Sequence, residues 1–331
     1  MAAPWAPSPD GVAQIVQLLT EYRSPAADQA QVWARLQQCA AIPDFNSYLV
    51  HILTAGTAHA VEVRQGAGLL LKNNLKSAAA WRSAPEQTRA AVRAGLLRGI
   101  GDPDRVLRGT VGTALSAVVS HGGVVDWPEL YPALGAALEG SGFDSQEGAL
   151  DALFKVAEDA PAQMDIPLAC IGGARPGDIV VPRLLQLLGS PHARLRARSL
   201  ATINLLAAYP PAVLEAEMPS YVQALFALAS DGDRDVKKGV CQGIVAVLQI
   251  HPECLLPQLR EVIGFMLRST QDGDEEVALE SCEFWRAFCE LEMSQEQEAA
   301  LREYVPQLIP VLLRNMCYED GDEDVVAAEA E

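Results

Sequence analysis

The strongest constraint on the fold of this chain is a sequence pattern that returns about every 40 residues. Six segments align on it: VRQGAGLLLKNNL from Val63, VLRGTVGTALSAV from Val106, SQEGALDALFKVA from Ser145, LRARSLATINLLA from Leu195, VKKGVCQGIVAVL from Val236 and VALESCEFWRAFC from Val277. Their first residues are separated by 43, 39, 50, 41 and 41 positions. A period of this length is typical of HEAT and armadillo arrays, in which each repeat consists of two helices and two turns.

Each segment carries the pattern of an amphipathic helix. The residues five, eight and eleven positions after the first are apolar or small in nearly every copy, as in Cys241, Ile244 and Val247. Because an α-helix has about 3.6 residues per turn, these positions fall on one stripe of the helix surface. The pattern therefore predicts six helices that each turn one stripe towards a core.

Turn signals and further apolar segments complete the predicted repeat. The motifs GDPD, GSPH, DGDRD and DGDEE precede four of the helices, where an Asp side chain can cap free backbone N–H groups. Partner helices are predicted in GDIVVPRLLQLLGS, EMPSYVQALFALAS, LLPQLREVIGFMLRS and WPELYPALGAAL, the last with Asp126 as its cap and Pro128 at its first position. His121 is predicted to end a helix, and ACIGGARPGD is predicted to form a surface loop.

These elements predict an all-α fold, an armadillo-like α-solenoid of about seven to eight HEAT repeats. Seven helical hairpins are expected, followed by an unpaired first helix in EYVPQLIPVLLRNM. A single hairpin cannot bury both of its faces, so neighbouring hairpins stack into one array. We expect this solenoid to extend over residues 1–317.

The negative charge of the chain is concentrated near its C-terminal end. The net charge is −18, and residues 271–331 contain 18 acidic and 3 basic side chains. This asymmetry disfavours direct binding to nucleic acid and favours a basic partner surface, although solubility alone also explains it. The segment CYEDGDEDVVAAEAE holds seven of the acidic side chains, and its composition predicts disorder.

Cysteine usage and the N-terminus place the chain in a reducing compartment. The seven cysteines form no CxxC pair, and MAAPWAPSPD lacks the basic and apolar regions of a signal peptide. No apolar run is long enough to span a membrane. We therefore expect a soluble, intracellular, monomeric protein.

No group of residues in the sequence predicts catalysis or a bound cofactor or metal. The five histidines are far apart, and no nucleophile, phosphate-binding or zinc motif is present. Trp33, Trp127 and Trp285 are predicted to pack in the core. Cys241 and Cys282 share one repeat position and are predicted to be small apolar fillers rather than redox centres.

One stretch departs from the repeat. At position eleven of the first copy the apolar residue is replaced by Asn74, which follows Lys72 and Asn73. The helix could end here, with the polar groups capping it or facing water. Alternatively, these side chains form a contact point for a partner on the inner face of the solenoid.

Several segments resemble a known family. PDFNSYLVHILT, followed by Arg64 and GLLLKNNLKSAAAW, resembles the N-terminal domain of the importin-β superfamily over residues of about 28–99. The segments DWPELYPAL, LFALASDGDRDVKKGVCQGIVAVL, MLRSTQDGDEEVALESCEFW and LIPVLLRNMCYEDGDED resemble its transportin branch, in the order found there. The resemblance covers essentially the whole chain.

The resemblance implies a nuclear import receptor that shuttles between cytoplasm and nucleus. The expected partners are the Ran GTPase in its GTP form and nucleoporins, with cargo bound only if later repeats are present. In this family the second helix of each hairpin lines the concave face. The candidate Ran-binding residues on second helices are Lys72, Asn73, Asn74, Glu276, Glu280 and Glu283.

The resemblance also identifies residues 318–331 as the beginning of an acidic loop that couples Ran binding to cargo release. Its candidate residues are Glu319, Asp320, Asp322, Glu323 and Asp324. Two alternatives stay open beside this interpretation. One is a HEAT-repeat scaffold or adaptor without a transport role, and the other is a truncated isoform that sequesters Ran.

Overall fold

The computed structural model describes residues 5–121, 124–125, 127–291 and 294–316. Throughout these ranges the regular structure is helical, and no strand occurs among them. The chain divides into two compact units, Met1–Glu215 and Ala216–Glu331, which we describe separately.

Seven helical hairpins form the described part of the chain. Their first helices are α1 (Pro9–Arg23), α3 (Phe45–Leu53), α6 (Glu86–Gly99), α8 (Leu130–Glu139), α10 (Pro176–Leu187), α13 (Met218–Leu228) and α15 (Leu259–Ser269). Their second helices are α2 (Gln29–Cys39), α4 (Val61–Leu75), α7 (Arg105–Ser120), α9 (Phe143–Asp159), α11 (Ala193–Ala207), α14 (Arg234–Ile250) and α16 (Glu275–Glu290). The short helices α5 (Ala78–Ser83) and α12 (Ala212–Ala216) lie in connections, and α17 (Gln295–Asn315) follows the last hairpin.

The predicted α-solenoid is therefore confirmed. The six helices expected from the repeat are α4, α7, α9, α11, α14 and α16. In the first unit α4 packs on α7, α7 on α9 and α9 on α11, and in the second unit α14 packs on α16. The apolar stripe is buried in these contacts, as Leu71, Val111 and Ile203 illustrate.

Aspartate caps begin three of the repeat helices as predicted. Asp104, Asp233 and Asp274 each accept hydrogen bonds from two backbone N–H groups in the first turn of their helix. An Asp two residues earlier accepts the N–H of each cap, so that Asp102 holds Asp104 and Asp272 holds Asp274. Each double-Asp turn thus satisfies three donors that a helix start leaves free.

Buried ion pairs join successive repeats in the first unit. The Arg64 guanidinium on α4 pairs with Asp102 in the turn before α7 of the next hairpin, and both side chains are buried. Its Nε atom also donates to the Leu53 carbonyl at 2.9 Å. One repeat further, Arg108 pairs with the buried Glu147 on α9, which also receives Arg194 from α11. These pairs neutralise charges that would be costly to bury alone.

Glycines allow the second helices to approach closely. A Cβ atom added at Gly112 on α7 would lie 3.2 Å from the Cα of Ala152 on α9. A Cβ atom added at Gly148 on α9 would overlap the backbone oxygen of Ile100, the residue that follows α6 in the third hairpin. The third and fourth hairpins therefore pack backbone against backbone.

Two expectations for the helices and aromatic residues were wrong. Helix α8 begins at Leu130 rather than Pro128, because a turn closed by the Leu130 N–H and the Trp127 carbonyl precedes it; the predicted cap Asp126 lies outside the described residues. Trp33 is 39% exposed, because its ring packs against Tyr22 of α1, which is itself 39% exposed.

The last helix was also predicted too short. Helix α17 begins two turns before the predicted segment, at a capping box formed by Ser294 and Gln297. Its two internal prolines do not interrupt it.

Other expectations were confirmed. Trp127 and Trp285 are buried, and the Trp285 indole donates to the Thr270 hydroxyl at 2.9 Å. His121 follows the last residue of α7 as its C-cap. The predicted loop contains Gly172 and Gly173 with positive φ angles of 70° and 85°, and its final residues form the first turn of α10.

Gly148 provides a test of this packing. We expect Gly148→Ala to lower the free energy of unfolding by about 1–3 kcal/mol or more, because the new methyl group overlaps the Ile100 carbonyl. The matched control is Gly109→Ala on α7, where the added Cβ meets no atom within 4 Å. The control should raise stability by about 0.5–1 kcal/mol, because alanine favours a helix. Urea unfolding measures both, and equal stability of the two variants would contradict the close approach.

Candidate functional site

The first predicted site lies at the C-terminal end of α4. Lys72 is half-buried and Asn73 is exposed, and Leu69 one turn earlier is 46% exposed. We call Leu69, Lys72 and Asn73 the α4 surface. In such a group the apolar side chain can pack against a partner, and the amide and the ammonium group can hydrogen-bond to it.

Asn74 has a different position from its two neighbours. Its amide nitrogen donates to the amide oxygen of Asn46 on α3 at 2.8 Å. This bond lies within the second hairpin and ties the end of α4 to α3. The helix continues for one residue beyond Asn74, to Leu75. Asn74 therefore supports the α4 surface from behind, and Asn73 is the exposed amide.

The second predicted site lies on α16 and is completed by α14. The Lys238 ammonium on α14 lies 2.8 Å from a Glu276 carboxylate oxygen and 3.8 Å from one of Glu280. The Gln242 amide donates to Glu280 at 2.8 Å. Glu283, one turn further, pairs with Arg286 at 2.9 Å. We call Glu276, Glu280, Glu283 and the exposed Leu279 the α16 surface.

The pairing with Lys238 shifts the pKa values of charged groups on this surface. The hydrogen bond from Lys238 holds the pKa of the Glu276 carboxyl below its ordinary value. The same bond raises the pKa of the Lys238 ammonium. Nearby, the hydrogen bond from Lys237 lowers the pKa of Asp272. These carboxylates stay ionised at neutral pH, and part of their charge is compensated within the protein.

The structure thus brings together the three predicted glutamates, and it brings together the predicted α4 residues. The two surfaces belong to different units. Sequence reasoning missed Leu69, Lys238 and Leu279. The repeat alignment could have indicated Lys238, because its position in one copy falls between the positions of Glu276 and Glu280 in the next.

The remaining predictions concern the acidic loop, the cysteines and membranes. The predicted loop residues Glu319, Asp320, Asp322, Glu323 and Asp324 lie outside the described residues.

Burial raises the pKa of the Cys241 thiol to about 11, in agreement with a role as a core filler, whereas Cys282 is only half-buried. In the part of the chain that the structure describes, no helix combines the length and apolarity that crossing a bilayer requires.

Two family models match the sequence. Residues 32–102 match the importin-β N-terminal domain. Residues 178–331 match a model described as stalled ribosome sensor GCN1-like HEAT repeats. The first match includes the whole of the α4 surface.

Curated relatives match over nearly the whole chain. The sequence is 42% identical to Transportin-1 of Oryza sativa subsp. japonica over 328 residues, which cover 99% of this chain and 36% of the relative. It is 35% identical to Transportin-1 of Mus musculus over 319 residues, which cover 96% of this chain and 34% of the relative. The chain therefore spans about a third of the length of the transportins that it matches.

Solved structures of importins have the same fold. Kap95p bound to RanGDP superposes with a TM-score of 0.74 at 16% identity, covering 95% of this chain and 40% of that one. Importin-β superposes with a TM-score of 0.73 at 19% identity, covering 93% of this chain and 39% of that one. These likenesses support the HEAT-repeat architecture.

The sequence matches and the stacked HEAT hairpins together define a member of the importin-β family. Within this family, the chain corresponds to the N-terminal portion of a transportin. The resemblance predicted from the sequence is confirmed.

The ion pair between α14 and α16 can be tested by titration. We expect the pKa of the Glu276 carboxyl to rise towards its ordinary value of 4.5 in a Lys238→Met variant, because the hydrogen bond that favours its ionised form is lost. In the wild type, the stabilising effect of the pair is present above pH 4.5 and is lost as the pH falls through the lowered pKa.

Carbon-detected NMR of the glutamate carboxyl groups measures the change. The control is Lys237→Met. Lys237 pairs with Asp272 at 2.9 Å, so its replacement should leave the titration of the Glu276 carboxyl unchanged. An unaltered Glu276 titration in the Lys238 variant would show that the pair does not form in solution.

Proposed function

We propose that this chain binds the GTP form of the Ran GTPase and takes part in protein import into the nucleus. The observation that supports this most strongly is the identity of 35–42% to transportins over 96% or more of the chain. The N-terminal position of the match makes GTPase binding, rather than cargo binding, the expected activity. We assign no catalytic role, because the named relatives are nuclear transport receptors.

The α16 surface is the proposed electrostatic contact. Its three glutamates project from successive turns of one helix, and Leu279, which is 69% exposed, lies among them. Such a surface attracts a basic patch on a partner and raises the association rate more than the affinity. Lys238 and Arg286 compensate part of the charge, so a basic partner must compete with them for the same carboxylates.

The α4 surface is the proposed second contact. The exposed amide of Asn73 offers an NH2 donor and an oxygen acceptor to a partner, and the Lys72 ammonium adds a flexible donor. Leu69 supplies apolar area beside them. Asn74 contributes by holding α4 against α3, so that the exposed amide of Asn73 has a fixed position.

We extend the proposal to further partners and to localisation by family membership. Among the structural neighbours, Kap95p is described in complexes with RanGDP and with Nup1. By analogy we propose binding to nucleoporins and shuttling between cytoplasm and nucleus. The chain spans about a third of the length of its relatives. Cargo binding is proposed only for a longer protein that also carries the later repeats. The solenoid extent of 1–317, followed by an acidic loop from 318, also remains a proposal.

A pull-down with purified Ran in its two nucleotide states tests the central proposal. The chain should retain the GTP-loaded form and not the GDP-loaded form. Equal retention of both forms, or of neither, would favour a HEAT-repeat scaffold without a transport role. Retention of GTP-loaded Ran without nucleoporin binding would instead favour a protein that sequesters Ran.

The α16 surface should control the association rate. We expect Glu276→Gln combined with Glu280→Gln to slow association with GTP-loaded Ran about three- to tenfold at low salt, with a smaller effect at high salt because exposed charges are screened. Stopped-flow fluorescence at two salt concentrations measures this change.

The control is Glu303→Gln. Like Glu276, Glu303 is an exposed glutamate paired with a cation of the preceding hairpin, in this case Arg260. Its pair lies between the first helices α15 and α17, outside the α16 surface. An equal slowing by both variants would mean that only overall charge matters.

The α4 surface should control complex lifetime. We expect Asn73→Ala to raise the dissociation rate of GTP-loaded Ran about fivefold, because a partner group buried against Asn73 would lose a hydrogen bond worth about 1 kcal/mol. Lys76→Ala is the control, since Lys76 is exposed just beyond the end of α4. Surface-plasmon resonance measures both rates, and identical rates for the wild type and Asn73→Ala would remove Asn73 from the contact.

A further inference from the structure

The first residues that the structure describes form a short segment that packs on helix α3 of the second hairpin. The Trp5 indole N–H donates to an Asp44 carboxylate oxygen at 3.1 Å. The Trp5 ring meets the Tyr48 ring edge to face, with 5.0 Å between the ring centroids, and it meets the His51 ring at 6.2 Å. The backbone N–H of Ser8 donates to the Tyr48 hydroxyl at 3.3 Å. We call residues 5–8 the Trp5 segment.

The three residues that receive Trp5 lie on one face of α3. Asp44, Tyr48 and His51 are four and three positions apart, which places them in a row along the helix, and each is half-buried. We call them the α3 stripe. The other face of α3 is fixed by the complete burial of Leu49 and Leu53. The α3 stripe therefore keeps its arrangement whether or not the Trp5 segment covers it.

The α3 stripe is chemically selective for tryptophan. An indole ring carries one N–H donor and no acceptor, and the Asp44 carboxylate is the matching acceptor. The edge-to-face contact with Tyr48 is a favoured arrangement of two aromatic rings. A phenylalanine could make the ring contacts but would leave Asp44 without its donor. The Ser8 bond uses a backbone N–H, so it places no demand on the side chain three residues after the tryptophan.

The Trp5 segment is held to α3 by few interactions. Among the described residues, the hydrogen bonds between them are those of Trp5 and Ser8. Residues 5–8 form no regular structure, and Pro7 has no N–H to donate. Segments held in this way open locally at a much smaller cost in free energy than unfolding of the whole protein. The α3 stripe can therefore become accessible while α3 stays folded.

We propose that the α3 stripe is a docking site for an extended, tryptophan-bearing segment of a partner protein, and that Trp5 occupies this site as an intramolecular competitor. The indole of the partner takes the place of Trp5 against Tyr48 and His51 and donates to Asp44. The affinity of the partner for the wild-type chain is reduced by the fraction of chains in which the Trp5 segment is open. The site uses no residue of the α4 surface or the α16 surface, so it is separate from the proposed contacts with Ran.

A second copy of this chain fits the site less well than a different partner. Trp5 precedes Pro9, the first residue of α1, by four positions, which span at most about 14 Å. The first turn of α1 already packs beside the site, since a Cβ atom added at Gly11 would lie 2.9 Å from the Tyr48 ring. The Trp5 segment of a second copy would bring its own α1 to the same place. A partner segment that stays extended after its tryptophan avoids this overlap.

The test uses the complete chain and a peptide of the sequence APWAPS with blocked ends, in which the tryptophan is 5-fluorotryptophan. Fluorine NMR of the peptide detects binding even at low affinity. We expect saturable binding to the Trp5→Ala variant and at least about tenfold weaker binding to the wild type, where Trp5 competes. The same peptide with 4-fluorophenylalanine should bind the variant about tenfold more weakly, because the hydrogen bond to the Asp44 carboxylate is lost.

Matched variants separate the site from general effects of tryptophan and charge. Trp33→Ala removes another partly exposed tryptophan and should bind no more peptide than the wild type. Asp44→Ala in the Trp5→Ala background should weaken binding about tenfold, and the Asp44 side chain makes no capping bond that α3 would lose. Asp10→Ala in the same background removes an exposed carboxylate from the first turn of α1 and should leave binding unchanged. Circular dichroism should show the wild-type helix content, because Trp5 and Asp44 lie outside the helices.

The proposal is overturned by any of three results. The first is the absence of saturable binding to the Trp5→Ala variant. The second is equal affinity of the peptide for this variant and for the wild type, which would place the bound peptide elsewhere on the protein. The third is an equal loss of affinity on removal of Asp44 and of Asp10, which would mean that negative charge alone attracts the peptide.

Discussion

Each hairpin of this chain has an apolar face that only its neighbour can cover, and the contact between second helices meets this need. At Gly112 the backbone of α7 meets the backbone of α9, and Gly148 on α9 also meets the backbone of Ile100, just after α6. Buried pairs such as Arg64 with Asp102 then fix which residue of one repeat lies opposite which residue of the next. Removing one partner would leave an uncompensated buried charge, at a cost of about 3–5 kcal/mol. Register along the first unit, and with it the position of its surface groups, depends on these contacts.

The second helices could be predicted from the sequence because their signal is local. A stripe with a period of 3.6 residues and an Asp cap both lie within one segment, as in α14, and the structure has them where they were expected. The contacts of Trp33 and Asn74 could not be predicted, because they depend on which neighbour covers a given face. The Trp33 ring meets the Tyr22 ring on α1, with 5.8 Å between the ring centroids, and Tyr22 is itself 39% exposed. The start of α8 was misjudged because Pro128 suits a turn as well as a first helical position.

The candidate site shows the same division between local and non-local information. Glu276, Glu280 and Glu283 could be placed on one helix from their spacing alone. The pairing of Glu276 and Glu280 with Lys238 depends on the packing of α14 on α16, whereas Glu283 pairs with Arg286 of the same helix. This pairing changes the physical interpretation of the surface, from a row of free charges to a row of exchangeable ion pairs. A basic partner that binds here replaces these internal ion pairs with its own, so the net gain in free energy is the difference between the two sets of pairs. This favours selectivity and rapid association over high affinity.

The helices and the loops differ in how well they tolerate substitution, and the packing explains this difference. Side chains on the stacked faces of α4, α7, α9 and α11 are constrained by two neighbours, so a change there disturbs the register of the array. The loops after these helices satisfy their backbone locally and through single contacts such as Asp165 with Ala212. An apolar group at Tyr209 can therefore be gained or lost with little effect on stability.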